Sequence, residues 1–286
     1  MKKALSIMFI ACIAMLFSAC HKDGVFNPSK KISKIYSINS TGQKYLKEVW
    51  SWNKDNTLDK IDFYDGNIYK TYNFTYDKKR LTRINDYSNK RATEYKYDNQ
   101  GLKEASYYSN GVLVETYTFT HKNGKITQIT ETYYNNYKGG DERFDMNPLQ
   151  FVMPEEMSSA AFETSKKIKK DCKSISTYNY DLTWEKNNVT KMTYSNYLSG
   201  DTYTYEAQYD NKKNPYYGAY LSFYFESDII NQSKNNVTHI EYTVIDDGET
   251  YREIENFEYK YDGQWPTTKR YFDGEYTYSL EYEYTK

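Results

Sequence analysis

Three histidines, three cysteines and 39 acidic residues are the groups in this chain that could do acid–base, nucleophilic or metal chemistry. Their spacing argues against most of it. His21, His121 and His239 stand far apart, in no His-x-x-x-His arrangement, and no cysteine pair exists to complete a metal site. The chain holds no Gly-x-Ser-x-Gly elbow, phosphate-binding loop or dinucleotide fingerprint. Two carboxylate pairs are candidates for glycosidase-like work. Glu155-Glu156 follows Pro154 and suits a helix start, whereas Asp246-Asp247 precedes Gly248 and suits a hairpin turn. The expectation is a protein that is not an enzyme and needs neither cofactor nor metal.

Aromatic side chains are a different resource, because 35 of the 286 residues are Tyr. A ring presented to solvent can stack on a sugar or anchor a protein partner; a ring on the inner face of a strand simply fills a core. Alternation assigns most rings to the core. Tyr72, Phe74 and Tyr76 point one way, Thr71, Asn73 and Thr75 the other, and Tyr117-Phe119-His121 and Phe257-Tyr259-Tyr261 repeat the pattern. Adjacent rings break it, because neighbours on a strand face opposite sides. Tyr108, Tyr134, Tyr217 and Trp50 are therefore the candidate ligand-facing aromatics.

The start of the chain sets a location. Lys2 and Lys3 precede an apolar run from Leu5 to Phe17, too short for a stop-transfer helix and of the right length for a secretory leader. Leu16-Phe17-Ser18-Ala19-Cys20 resembles a bacterial lipobox, with Phe17 where a smaller aliphatic residue is usual, a variation that Bacteroidetes lipoproteins tolerate. The resemblance implies removal of residues 1–19 and diacylation of Cys20, hence a membrane partner through lipid. Residues 20–31 read as a tether. Cys12 leaves with the leader, so Cys172 is left alone and no internal disulfide is available.

Composition limits the partners. Without Lys2 and Lys3, 36 cationic side chains face 39 acidic ones, a net charge near −3 on 267 residues. No run of Lys and Arg stands out along the sequence, so no nucleic-acid partner is expected. Aliphatic residues are few, and the core must be built from rings.

Internal similarity gives the architecture. WNKDNTLDKI (52–61), YDKKRLTRI (76–84), YDNQGLKEA (97–105), HKNGKITQI (121–129) and WEKNNVTKM (184–192) share one plan, with a weaker copy at 233–240. An aromatic strand runs into a polar turn and out into a second strand opening on Leu, Ile or Val. Units of 21 to 24 residues fit hairpins, so the fold class is mainly β, a large antiparallel meander. It forms a curved sheet or partly closed barrel over 32–286. Residues 139–173 interrupt the rhythm, with one short helix expected near 154–168, and the Asn-Pro pairs at 147–148 and 214–215 mark turns.

Tyr76-Asp77, Tyr97-Asp98, Tyr209-Asp210 and Tyr261-Asp262 carry a resemblance to the YD repeats of Rhs-type proteins. YDNKKNPYYG (209–218), SKNNVTHIEY and EYKYDGQWPTTKRY (258–271) resemble the C-terminal half of Bacteroidetes lipoproteins of unknown function built from such repeats. That resemblance implies a large antiparallel curved sheet without assigned catalysis. Three functions follow as expectations: first, a lipid-anchored binding or scaffold domain with a glycan or protein ligand in the cell envelope, on its surface or periplasmic face; second, a carrier of a lipid or hydrophobic peptide in a trough lined by Tyr72, Phe74, Tyr117 and Phe119; third, a polysaccharide-acting enzyme.

Overall fold

The computed structural model describes residues 25–86, 90–134, 176–195, 202–219, 233–246, 248–272 and 277–285. Strands β1 (Ile32–Ile38), β2 (Lys44–Trp52), β3 (Leu58–Asp65), β4 (Asn67–Asp77), β5 (Arg80–Asp86), β6 (Arg91–Tyr97), β7 (Leu102–Ser109) and β8 (Val112–Lys122) form the first half of the chain. Strands β9 (Lys125–Tyr133), β10 (Ser176–Glu185), β11 (Asn188–Ser195), β12 (Thr202–Tyr209), β13 (Val237–Asp246), β14 (Glu249–Asp262), β15 (Trp265–Phe272) and β16 (Thr277–Tyr284) form the second. Each strand pairs antiparallel with its neighbours in sequence, and β1 closes on β16 through Ile35↔Tyr282 and Ser37↔Leu280.

The meander is thus a fully closed barrel, not the open or partly closed sheet that the repeats alone suggested. The sequence shows hairpins but not the pairing of its two most distant strands, and that pairing removes both edges. The expected helix near 154–168, Cys172 and the Asn147-Pro148 pair lie outside the described residues. At Asn214-Pro215 the turn is present: the Asn214 carboxamide accepts from Tyr216 N at 2.9 Å, and Tyr217 N donates to Asn214 O.

Turn chemistry fixes one rim. Asn123 (φ 54°) and Gly124 (φ 71°) form the two-residue loop between Lys122 and Lys125. Both angles are positive, as the twist of a tight hairpin demands. Asp98 accepts from Gln100 N and Gly101 N, an Asx-type closure of the β6–β7 turn. Every hairpin on this rim carries a register shift just before its aromatic residue, at Ser51/Trp52, Thr75/Tyr76, Lys96/Tyr97, Thr120/His121, Thr183/Trp184, Gln208/Tyr209 and Lys260/Tyr261. A bulge bends the strand and re-aims the side chain that follows. Here it turns Trp52, Tyr97, Trp184 and Tyr209 toward the neighbouring hairpin.

The inner face is apolar and aromatic. Leu58, Ile61, Leu102, Ala105, Tyr117, Ile129, Met192 and Tyr205 are fully buried. A round barrel of sixteen strands leaves an aqueous channel. Tyr72, Phe74, Tyr117 and Phe119, the residues expected to line an open trough, are instead 7%, 8%, 0% and 8% exposed. Among the described residues these four are buried rather than solvent-facing, and the trough loses its lining.

The outer face is polar and ionic. Asp62 accepts from Lys60 and Thr71, Arg83 pairs with Glu94 at 2.7 Å, and Lys191 pairs with Glu206 at 2.8 Å. Lys96 and Ser106 both reach Glu104. Burial pushes the Glu104 carboxyl up, but these two hydrogen bonds outweigh it and hold the group below its ordinary value. A barrel that spans a bilayer shows the opposite arrangement, an apolar band outside and a polar lumen inside. Lys and Arg on a lipid face cost about 2–4 kcal/mol each at the midplane, Asp and Glu less. This wall is built to face water.

Candidate functional site

Strand register separates the four sequence-derived aromatics. Trp50 lies on the inner face, 3% exposed, and its Nε1 donates to Glu48 Oε2 at 2.7 Å. It is a core residue, not an outward ring, because Trp50 and Trp52 share parity. Tyr217 is half-buried at the rim formed by the bulged turns. Tyr108 and Tyr134 come together at the opposite, distal rim: Tyr108 pairs with Leu113, and Tyr134 N donates to Val114 O. Both are half-buried.

Around that distal rim stand rings and aliphatic chains that alternation alone did not single out. Tyr45 is 45% exposed, Tyr69 50% and Tyr251 54%, with Ile68, Val112 and Ile245 similarly bare. All lie close to strand ends, beside 39–43, Gly66, 110–111 and Gly248. The available signal was local: an apolar residue within three positions of a turn glycine, as in Gly66-Asn67-Ile68-Tyr69 and Gly248-Glu249-Thr250-Tyr251. Tyr251 Oη donates to Glu249 Oε2 and Tyr45 Oη to Gln43 Oε1, which fixes two ring orientations beside hydrogen-bonding groups. Rings with polar neighbours are what sugar or protein recognition uses.

The interior holds carboxylates that sequence reading also missed. Glu48, Glu115 and Glu131 are 1%, 0% and 0% exposed. Tyr117 donates to Glu115 at 2.6 Å and Tyr180 to Glu131 at 2.8 Å. Burial, reinforced by the adjacent carboxylates, pushes both phenols well above their ordinary pKa. The signal was parity: Glu115 shares a face with Tyr117 and Phe119, and Glu131 with Ile129 and Tyr133. These carboxylates orient rings inside a dry core, as a buried polar group must find partners. His121 takes the ring position of its hairpin and His239 Nδ1 contacts Asn256 Oδ1 at 2.9 Å on the wall. Among the described residues, no group of three His, Cys, Asp or Glu side chains has metal-binding geometry.

The opposite rim is tied down by a repeated contact. Trp52 Nε1 donates to Ile32 O, Tyr97 Oη to Leu81 O, Trp184 Nε1 to Ile126 O, Tyr209 Oη to Val189 O and Tyr284 Oη to Pro266 O. In each case the ring reaches the return strand of the next hairpin round the barrel. Three of these rings are also covered by the cation just before the acceptor: Lys31 over Trp52, Arg80 over Tyr97 and Lys125 over Trp184. In Tyr97-Asp98 and Tyr209-Asp210 the tyrosine is a latch between repeats and the aspartate closes its turn, whereas Tyr261 donates to Asp210 and Asp262 pairs with Lys30.

Comparison with known proteins adds little. No protein-family profile matches the chain, and no curated protein matches it. Two solved structures are similar in outline. A porin-like protein from Bacteroides vulgatus ATCC 8482 superposes with a TM-score of 0.45 at 10% identity, over 90% of this chain and 99% of that one. A porin-like protein from Bacteroides uniformis ATCC 8492 gives 0.48 at 13% identity, over 91% and 100%. At such scores the likeness transfers no function.

Proposed function

We propose that this chain is a lipid-anchored, non-catalytic lipoprotein of the cell envelope, related to the YD-repeat lipoproteins it resembles. Its barrel is a binding or scaffold domain that takes a glycan or protein ligand at the distal rim. The polar wall carries this reading. A closed barrel with a charged exterior stands in an aqueous compartment, so attachment falls to the acylated Cys20 and recognition to the rings at Tyr45, Tyr69, Tyr108, Tyr134 and Tyr251. The packed interior leaves no open aromatic trough, which removes support for the carrier reading. The buried carboxylates serve rings rather than a substrate, which favours a non-catalytic role.

The test is a glycan array and an envelope pull-down with the lipidated protein and its Tyr45→Ala/Tyr69→Ala/Tyr251→Ala variant. Interface rings that matter cost about 2 kcal/mol or more on truncation. The expected result is one enriched ligand whose capture falls at least about tenfold in the variant. Equal capture by both proteins, or no enriched ligand, overturns the distal-rim assignment.

A further inference from the structure

Lysines scattered along the sequence are gathered by the fold onto the rim of bulged turns. Counted over 26–31, 52–58, 76–81, 97–102, 121–126, 184–189, 209–219, 233–237 and 261–265, twelve Lys or Arg face six Asp or Glu. Three of the six acids are engaged by their own turns, and a fourth, Asp262, is paired with Lys30. Asp55 accepts from Thr57 Oγ1 and N, Asp98 from turn amides, and Asp210 from Lys212 N, Asn236 and Tyr261. Lys54, Lys78, Lys122 and Lys186 are exposed and pair with no carboxylate among the described residues. A chain whose mature net charge is near −3 therefore presents one strongly basic end.

The same end receives the N-terminal segment. Phe26 packs against Trp52 with ring centroids 5.6 Å apart, Lys30 pairs with Asp262, and Lys31 donates to Asn56. Of the stretch expected to be a free tether, residues 26–31 are thus part of the barrel, and Phe26 is only 6% exposed. Six Cα-to-Cα steps separate Cys20 from Phe26. At about 3.3–3.6 Å per residue they reach roughly 20 Å at full extension. An acylated Cys20 holds the basic rim beside the headgroups, within a few screening lengths of about 8 Å each.

We propose that the bulged-turn rim docks on anionic lipid headgroups, so that the barrel stands upright on the membrane with its distal rim outward. The inference rests on the lipid-anchor reading. Lipid and basic side chains are the two signals that together hold a protein firmly and in one orientation.

The test uses the full lipidated protein, bound either to phosphatidylcholine vesicles or to vesicles that also contain phosphatidylglycerol, with amine-reactive labelling of individual lysines. Flotation with the neutral vesicles reports the anchor alone, and failure to float overturns the anchor reading. On the anionic vesicles the expected result is labelling of Lys78 and Lys186 reduced about fivefold relative to the neutral ones. Distal Lys90 is unchanged. High salt and the Lys54→Glu/Lys122→Glu/Lys234→Glu variant both restore labelling. Equal labelling of Lys78 and Lys186 on the two vesicles, in protein that floats, overturns the docking proposal and leaves the anchor standing.

Discussion

The Tyr97 phenol donates to the Leu81 carbonyl at 2.8 Å, sixteen residues back in the chain and one hairpin along the barrel. The Arg80 guanidinium lies 4.6 Å from the centre of the same ring. The contact explains why tyrosine, rather than phenylalanine, precedes the turn aspartate: an extended strand end needs a hydrogen-bond donor that reaches across to the next unit. Tyr209 makes the equivalent bond to Val189 at 2.6 Å.

Removing that donor should weaken the barrel without opening it. Tyr97→Phe and Tyr209→Phe are each expected to lower stability by about 1 kcal/mol, the net worth of a hydrogen bond in a partly buried site. Denaturant titration checks this. An unchanged midpoint in both variants would show that the latches do not contribute.

Inner and outer positions of the barrel wall should differ sharply. Leu102 is fully buried, and Leu102→Ala is expected to cost about 2–5 kcal/mol through lost transfer energy and the cavity left behind. Arg83→Ala removes a wall ion pair with Glu94 whose partners are both about two-fifths exposed, and should cost less than about 1 kcal/mol. The same denaturation experiment measures both. Comparable losses would contradict the assignment of a dry interior and a solvated wall.

How much of this could be read from the sequence differs from residue to residue. Tyr72, Phe74, Tyr117 and Phe119 fell to the core-facing side by alternation, because a period of two records which face is covered. The polar turns of the repeats, such as Asp98 to Gly101, were legible because only certain residues take those angles easily. Closure was not legible, since Ile35 and Tyr282 lie at opposite ends of the chain and no local pattern pairs them. Trp50 was misplaced because its neighbour of like type stands two positions away, on the same face. The basic rim was invisible for a related reason: Lys54, Lys122 and Lys234 are far apart in sequence and meet only because every second turn lands at the same end.

Alkaline pH should unfold the protein cooperatively. Burial raises the pKa of Tyr72, Tyr76, Tyr117, Tyr180, Tyr205, Tyr209 and Tyr284 above the ordinary 10.0, and raises Tyr261 with help from Asp210. A folded-state pKa above the unfolded one gives stability that is complete below pH 10 and is lost as pH rises toward the folded value. Each phenol kept protonated removes about 1.4 kcal/mol per pH unit above 10. Tyrosinate absorbance should therefore rise in one steep step that coincides with loss of circular dichroism. A gradual titration near pH 10 with the fold intact would contradict the buried, neutral rings.

The proposal to be tested is that the barrel stands in water and that lipid on Cys20, not insertion of the barrel, anchors it in the membrane. Carbonate extraction of cell envelopes carrying wild type or Cys20→Ala tests it most directly. The wild type should stay with the membrane, and Cys20→Ala should be released as a folded soluble protein without detergent. Retention of Cys20→Ala in the carbonate-washed membrane would show a barrel embedded in lipid and contradict the account.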